Sequence, residues 1–225
     1  MAAGFRSRLA EKLADSIVAP LPQATPRRVV GPVRLPKKAT AVLGMRRAGK
    51  TTFLHQIRRE KILSGVPRER LPYLNFEDEQ LAGLPAAELG LILEEYYRNF
   101  PELRGKQTVT WCLDEIQVVP GWEQFVRRVL DAEQVEVLVS GSSAALLSRE
   151  IATAMRGRAW EIVIHPFSFA EYLLHHGQAT PQQPEFLPAA ERSALERAFL
   201  DYLGTGGFPE AQGLDAATRR RLLVD

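Results

Sequence analysis

The sequence predicts an α/β fold, a three-layer sandwich around a five-stranded, mainly parallel sheet. Two observations predict it. Short apolar runs rich in β-favouring residues alternate with amphipathic helical stretches, and such alternation implies right-handed crossovers and a parallel sheet covered on both faces. One strand–helix junction is also Gly-rich. The 225 residues, 45% hydrophobic and 25% charged, are enough for one sizeable core.

The elements can be placed along the chain from hydrophobic spacing and from Gly and Pro positions. An amphipathic helix is expected over residues 5–18. Strands are expected at 40–43, 71–76, 109–113, 135–139 and 160–164. Further helices are expected from residue 52 onward and at 86–99, 122–132, 144–155 and 188–203, with Gly204 ending the last one.

Composition divides the chain into three parts. Residues 1–38 combine the first helix with a Pro-rich, basic connector. Residues 39–166 hold the alternating strands and helices, and we expect them to form the core domain. Residues 167–225 are expected to be a short helical extension, an incomplete lid or the start of a further domain.

The Gly-rich junction is a complete phosphate-binding loop. Residues 44–51 read G-M-R-R-A-G-K-T, which fits the Walker A pattern G-x-x-x-x-G-K-[ST] between a strand and a helix. Its backbone N–H groups and the helix N-terminus would cradle phosphates, while Lys50 reaches the β- and γ-phosphates and Thr51 binds Mg²⁺. An incidental Gly-rich turn is disfavoured by this context. The expected nucleotide-binding residues are Gly44, Met45, Arg46, Arg47, Ala48, Gly49, Lys50, Thr51 and Thr52.

A pair of acidic residues follows the third strand. Asp114 and Glu115 end the apolar run of residues 109–113, and ligands of open α/β sheets bind at the carboxyl ends of the strands. Asp114 is expected to hold the Mg²⁺ and its water shell, and Glu115 to orient or deprotonate an attacking water. Strand-end solvation is the plain alternative. The Asp-Glu pair is typical of hydrolases of the additional-strand class.

The identity of the nucleotide follows from what the sequence contains. A guanine-binding N-K-x-D signature is absent, since Asn75 and Asn99 are the only asparagines. Asp114 is followed by Glu-Ile-Gln and not by the D-x-x-G of a GTPase switch. ATP, with Mg²⁺, is therefore the expected cofactor, and ATP hydrolysis the expected chemistry.

Two further groups have both a catalytic and a plain structural interpretation. Ser140 and Ser142 end the fourth strand, where a hydroxyl could sense the γ-phosphate, although serines are also ordinary turn residues. Arg156 and Arg158 precede the fifth strand. Arg158 is the favoured candidate for an arginine finger that acts on a neighbouring subunit, and the alternative for both is a solvated helix C-terminus.

The ordered set of motifs resembles one family. The set comprises G-M-R-R-A-G-K-T-T, Y-L-N-F-E-D, W-C-L-D-E-I-Q, V-S-G-S-S, R-G-R, H-P-F-S-F-A-E-Y-L and G-G-F-P-E. From about residue 40 onward the chain resembles prokaryotic AAA-like P-loop ATPases that usually carry a C-terminal nuclease-like domain of unknown function. The resemblance implies the metal and hydrolytic roles of Asp114 and Glu115, a γ-phosphate contact from Ser140 or Ser142, and Arg158 as a candidate finger. Family members continue beyond Asp225, so the chain is expected to be a fragment.

The leading hypothesis is thus a Mg-ATP-hydrolysing switch or motor core. One alternative is an ATP-gated interaction module with little turnover that controls DNA or a protein partner. The other is a P-loop phosphotransferase acting on a small molecule, which Glu115 disfavours. The net charge of +2 does not by itself indicate nucleic-acid binding, and the single cysteine, Cys112, suits a reducing cytoplasm. A membrane partner is not expected, and homo-oligomers are expected if the finger is used.

Overall fold

Five parallel strands form a single sheet in the computed structural model, which describes residues 2–142 and 154–224. The strands in chain order are β1 (Ala39–Gly44), β2 (Tyr73–Asn75), β3 (Val109–Asp114), β4 (Val135–Ser142) and β5 (Ala159–Val163). Their order across the sheet is β2-β3-β4-β1-β5. As expected from the sequence, β4 lies between the phosphate-loop strand and the Asp-Glu strand, pairing with both.

Seven helices flank the sheet or extend beyond it in the described ranges. They are α1 (Ala2–Val18), α2 (Lys50–Leu63), α3 (Gly90–Asn99), α4 (Trp122–Ala132), α5 (Phe169–His175), α6 (Ala189–Thr205) and α7 (Ala216–Val224). The helix expected at 144–155 lies almost entirely outside the described residues.

Several helix ends differ from those expected from the sequence, since α1 starts at Ala2 and α2 at Lys50, and two further differences have a clear local cause. The helix expected from residue 86 begins with a 3₁₀ turn at Ala86–Glu88, and the α-helix starts only at Gly90. Gly204 does not end α6, which continues to Thr205. Gly206 ends it instead: its φ of 73° lies in the left-handed region that glycine tolerates, and its N–H donates to the Tyr202 carbonyl at 2.8 Å.

Strand alternation divides the core into two apolar layers, one on each face of the sheet. Along β3, Trp111 and Leu113 belong to the larger layer, which packs against α1, α3 and α4. The intervening Cys112 belongs to the smaller layer beneath α2. All six β3 residues are buried, as expected for a central strand covered on both faces.

The C-terminal helices attach to the core through a backbone crossing and an aromatic cluster. The Phe167 N–H donates to the Gly207 carbonyl at 2.6 Å, and the Tyr202 hydroxyl donates to the Phe167 carbonyl at 2.8 Å. Phe169 packs edge-on against Phe199, with ring centroids 5.1 Å apart. These contacts bring the segment after α6 back to the sheet.

The described ranges hold no helix that is both long enough and apolar enough to cross a membrane.

Candidate functional site

The loop between β1 and α2 starts where the backbone is tightly packed. Gly44 ends β1, and a Cβ at this position would collide with the Ile164 carbonyl oxygen. Ile164 cannot easily move away, because its N–H donates to the Leu43 carbonyl at 2.7 Å. The first glycine of the motif is therefore required by packing as well as by loop curvature.

The loop ends at the N-terminus of α2. Gly49 precedes the helix with φ 97°, and its carbonyl accepts from the Phe53 N–H at 2.9 Å. Arg47 also has a positive φ, 65°, which is uncommon for a residue with a side chain. The amides after Gly49 open a 14-residue helix, and its positive end is suited to phosphate.

A buried arginine from the N-terminal connector supports this loop from below. The Arg27 guanidinium donates to the Ala48 carbonyl at 2.7 Å and to the His165 carbonyl, and it forms an ion pair with Glu171 at 3.1 Å. The guanidinium also lies over the Phe167 ring, 4.9 Å from its centroid. One side chain thus ties together the connector, the phosphate loop, the segment after β5 and α5.

Lys50 and Glu115 face each other at the base of the loop. The Lys50 Nζ donates to the Met45 carbonyl at 3.2 Å and lies 3.7 Å from a Glu115 carboxylate oxygen. The other oxygen of Glu115 accepts from the Gln117 side-chain amide at 2.5 Å. Glu115 has φ 52°, so the chain turns sharply after β3 and presents this carboxylate beside the phosphate loop.

Asp114 is held by two hydroxyl groups. The Ser140 hydroxyl donates to one of its carboxylate oxygens, and the Tyr73 hydroxyl donates to the other at 2.7 Å. Ser140 also accepts from the Glu115 N–H at 3.0 Å. Burial and the adjacent Asp114 raise the pKa of Tyr73 well above its usual value, so its hydroxyl remains a donor at neutral pH.

The Tyr73 ring is enclosed by side chains from α2. The His55 ring lies 4.5 Å from it, centroid to centroid, and the Arg58 guanidinium lies 5.5 Å from its centroid. Burial, and then the nearby Arg58 charge, lower the pKa of His55 to about 4. His55 is therefore neutral at physiological pH.

The oxygen donors fit a magnesium ion. Asp114 is 1% exposed, and no lysine, arginine or histidine of the described ranges lies within 4 Å of its carboxylate. Burying a carboxylate without a cationic partner costs free energy unless a bound cation balances its charge. Thr51, the second residue of α2, would add a hydroxyl from the cavity wall, and hydroxyl and carboxylate oxygens are the donors that Mg²⁺ prefers.

A cavity of about 360 Å³ opens beside the phosphate loop and Glu115, and Asp114 lies beneath its wall and is not one of its lining residues. Its wall carries both basic and acidic side chains, and the Arg47 guanidinium lies 3.5 Å from a Glu210 carboxylate oxygen. Pro209 comes close to the loop as well, since its Cγ lies 3.8 Å from where a Cβ on Gly49 would stand. The lining residues are Arg46, Arg47, Gly49, Lys50, Thr51, Thr52, Glu77, Glu115 and Glu210.

The structure brings together most, but not all, of the expected site residues. Ser140 lies beside Asp114, its hydroxyl is fully buried, and its contact with a γ-phosphate stays a prediction. Ser142 ends β4, and its side chain lies outside what the structure describes. Arg156 and Arg158 lie at the amino end of β5, away from the loop, where Arg158 forms an ion pair with Asp131 at 3.1 Å. Neither arginine belongs to this chain's own cavity, and the finger role of Arg158 remains a prediction about a neighbouring copy.

Sequence reasoning missed three residues of this site. Arg27 was assigned to a basic connector, Tyr73 to an ordinary strand position, and Glu210 to a motif without a role. The only signal for Glu210 was its place in the motif G-G-F-P-E, and the only signal for Tyr73 was its place in the motif Y-L-N-F-E-D. Arg27 had no distinguishing signal, because a buried arginine and a solvated one look alike in a sequence.

Comparison with protein families gives a match to a model described as an AAA domain, over residues 36–173. An uncharacterized protein of Methanocaldococcus jannaschii is 35% identical over 181 residues, which cover 80% of this chain and 38% of that protein. An uncharacterized protein of Haemophilus influenzae is 30% identical over 183 residues, covering 81% of this chain and 42% of that protein. The chain thus spans less than half the length of these relatives.

Solved structures show more distant likeness. Caenorhabditis elegans PCH-2 is 16% identical with a TM-score of 0.48, covering 99% of this chain and 61% of that one. The Aeropyrum pernix ORC1 protein, solved in complex with DNA, is 17% identical with a TM-score of 0.39, covering 98% of this chain and 64% of that one. At this distance the likeness says nothing about function.

Proposed function

The chain belongs to the AAA domain family, and on that premise we propose that it binds Mg-ATP and hydrolyses it as a switch or motor core. The observation that supports this most directly is the position of Glu115. Its carboxylate lies 3.7 Å from the Lys50 ammonium and lines the same cavity as Thr51. A carboxylate beside the γ-phosphate-binding lysine is where a base for water would be needed.

Each remaining group has a defined task in this proposal. The loop amides and Lys50 bind the phosphates, and Thr51 and Asp114 hold Mg²⁺. The bound ion would neutralise charge on the β- and γ-phosphate oxygens. Ser140 keeps Asp114 and the Glu115 backbone in register, because its hydroxyl bonds both.

The test compares the wild-type chain with Glu115→Gln, and with Glu102→Gln as a matched control on the surface. We expect Glu115→Gln to bind ATP while its Mg²⁺-dependent turnover falls roughly 10²-fold to 10⁴-fold. Glu102→Gln should behave as wild type. Undiminished turnover in Glu115→Gln would contradict the assignment of the base.

A second candidate is an ATP-gated interaction module with little turnover, and the contacts of Glu115 favour it. One carboxylate oxygen accepts from Gln117 at 2.5 Å and the other faces Lys50, so both oxygens already have a partner in this conformation. Stoichiometric ATP binding without turnover, even at high protein concentration, would support this candidate. A phosphotransferase would instead release ADP only when an acceptor molecule is added.

The partners of either activity are also proposals. Assays with duplex DNA, with single-stranded DNA and without DNA test a nucleic-acid partner, since DNA-stimulated turnover would indicate a coupled motor. If Arg158 acts as a finger on a neighbouring copy, turnover per chain will rise with protein concentration in the wild type but not in Arg158→Ala.

A further inference from the structure

Tyr73 lies on the edge strand β2, next to the strand that carries Asp114. The two strands are parallel, and Asn75 is level with Asp114 while Tyr73 is level with Cys112. The Tyr73 backbone therefore lies two residues before the level of Asp114, an offset of about 6.6 Å along the strand direction. The length of a tyrosine side chain spans that offset, and its hydroxyl donates to the Asp114 carboxylate at 2.7 Å.

The ring has little freedom to leave this position. The backbone N–H of Tyr73 donates to the Ser16 hydroxyl at 3.2 Å. Arg58, beside the ring, is 4% exposed and donates to the Leu71 carbonyl at 3.0 Å and to the Ser16 carbonyl. Because His55 packs beside the ring as well, Tyr73 is held in place by groups from α1 and α2.

We propose that Tyr73 is a positioning residue for the metal-binding carboxylate, a role that rests on the proposed Mg-ATP function. With Tyr73 donating to one oxygen and Ser140 to the other, the plane and rotamer of Asp114 are set before any ion arrives. Partners of this kind, which bond a metal ligand without touching the metal, commonly govern metal affinity.

The experiment measures the Mg²⁺ concentration that half-saturates the metal-dependent binding of a fluorescent ATP analogue. Tyr73→Phe removes only the hydroxyl and should raise this midpoint roughly 10-fold to 100-fold, with binding in EDTA unchanged. The matched control is Tyr96→Phe, which removes a hydroxyl that donates to the Glu69 carbonyl at 2.6 Å. Its midpoint should equal that of the wild type.

A second pair of variants tests whether Tyr73 acts through Asp114. In an Asp114→Asn background, adding Tyr73→Phe should not shift the midpoint further, whereas a merely structural role would add its effect. Ser140→Ala, which removes the other donor, should raise the midpoint as Tyr73→Phe does, and it keeps the inference testable if the tyrosine variant fails to fold.

The outcomes separate this inference from the proposed function. A wild-type protein whose nucleotide binding ignores Mg²⁺ would overturn both. A metal-dependent wild type with the same midpoint in Tyr73→Phe would overturn the positioning role alone.

Discussion

Arg27 and Ala48 are joined by a hydrogen bond of 2.7 Å from the guanidinium to the carbonyl of the phosphate loop. The backbone of Arg27 is held in turn by Gln56 of α2, whose side-chain oxygen accepts from the Arg27 N–H at 2.7 Å. The loop is therefore braced from the N-terminal connector, a segment that contributes nothing to the nucleotide motif itself. Arg27 is 7% exposed, and the Glu171 carboxylate, 3.1 Å away, balances its buried charge.

We expect Arg27→Ala to destabilise the protein by about 3–5 kcal/mol, because it leaves the Glu171 carboxylate buried without its partner. Urea unfolding measures this difference. Arg28→Ala is the matched control, since the exposed neighbouring side chain should contribute less than about 0.5 kcal/mol. In the double variant with Glu171→Ala, the loss should be smaller than the sum of the two single losses; strict additivity would show that the pair is not coupled.

Gly207→Ala should displace the turn that carries Pro209 and Glu210. A Cβ at Gly207 would collide with the Phe167 backbone, and backbone cannot yield as a flexible side chain can. We expect lower stability, and we expect weaker ATP binding because Pro209, which lies beside Gly49, would no longer support the phosphate loop. The matched control is Gly204→Ala, since that Cβ meets nothing within 4 Å and lies inside α6.

Thermal unfolding and ATP titration of both variants check this prediction. Gly204→Ala should gain about 0.5–1 kcal/mol from lower unfolded-state entropy. If Gly207→Ala bound ATP as tightly as the wild type, the turn would have no part in the nucleotide site.

Glu210→Gln should raise ATP affinity about twofold to fivefold. The carboxylate lines the phosphate cavity and forms an ion pair with Arg47. Its loss therefore removes a negative charge that repels the phosphates, and it leaves the Arg47 guanidinium free to bind them. The gain is small because the Glu210 side chain is 58% exposed, and exposed pairs contribute about 0.2–1 kcal/mol.

Calorimetric ATP titration at two ionic strengths tests the Glu210 effect, which should diminish in high salt. Glu196→Gln, an exposed change on α6, serves as the control and should leave affinity unchanged. Weaker binding in Glu210→Gln would mean that this carboxylate supports the nucleotide instead of opposing it.

The partly buried His55 predicts a loss of stability on acidification. Its pKa falls from an ordinary value of 6.5 to about 4 on folding, so between those values the unfolded chain binds more protons than the folded one. Stability therefore decreases as the pH falls from about 6.5 toward 4. Desolvation is the main cause, with Arg58 adding to it and Asp114 opposing it.

Melting temperatures measured from pH 7 to pH 4 check the His55 prediction. His55→Gln should flatten part of the decline, because glutamine does not titrate. His176→Gln, at the exposed position that directly follows α5, should leave the decline as steep as in the wild type. An equally steep decline in His55→Gln would assign the acid sensitivity to other groups.

Much of the fold was predictable from local pattern. The β3 run and the Gly-Lys-Thr loop carry their own signals, since burial on both faces and phosphate geometry each require particular residue types in sequence. The position of β4 between β1 and β3 also followed from the expected topology. The helix ends were less predictable: Gly204 and Gly206 lie two residues apart, and the tertiary position of the turn decided which one adopts a positive φ.

The sequence by itself determined the phosphate loop, the Asp114–Glu115 pair and the alternation of strands with helices, because each of these is a pattern within a short stretch of chain. Only the tertiary structure decided which polar groups complete the site. Tyr73 meets Asp114 across 41 positions and Arg27 meets Glu171 across 144. Such pairs form because strand order and helix packing bring distant residues together, and a buried polar group then requires whichever partner lies within hydrogen-bonding distance.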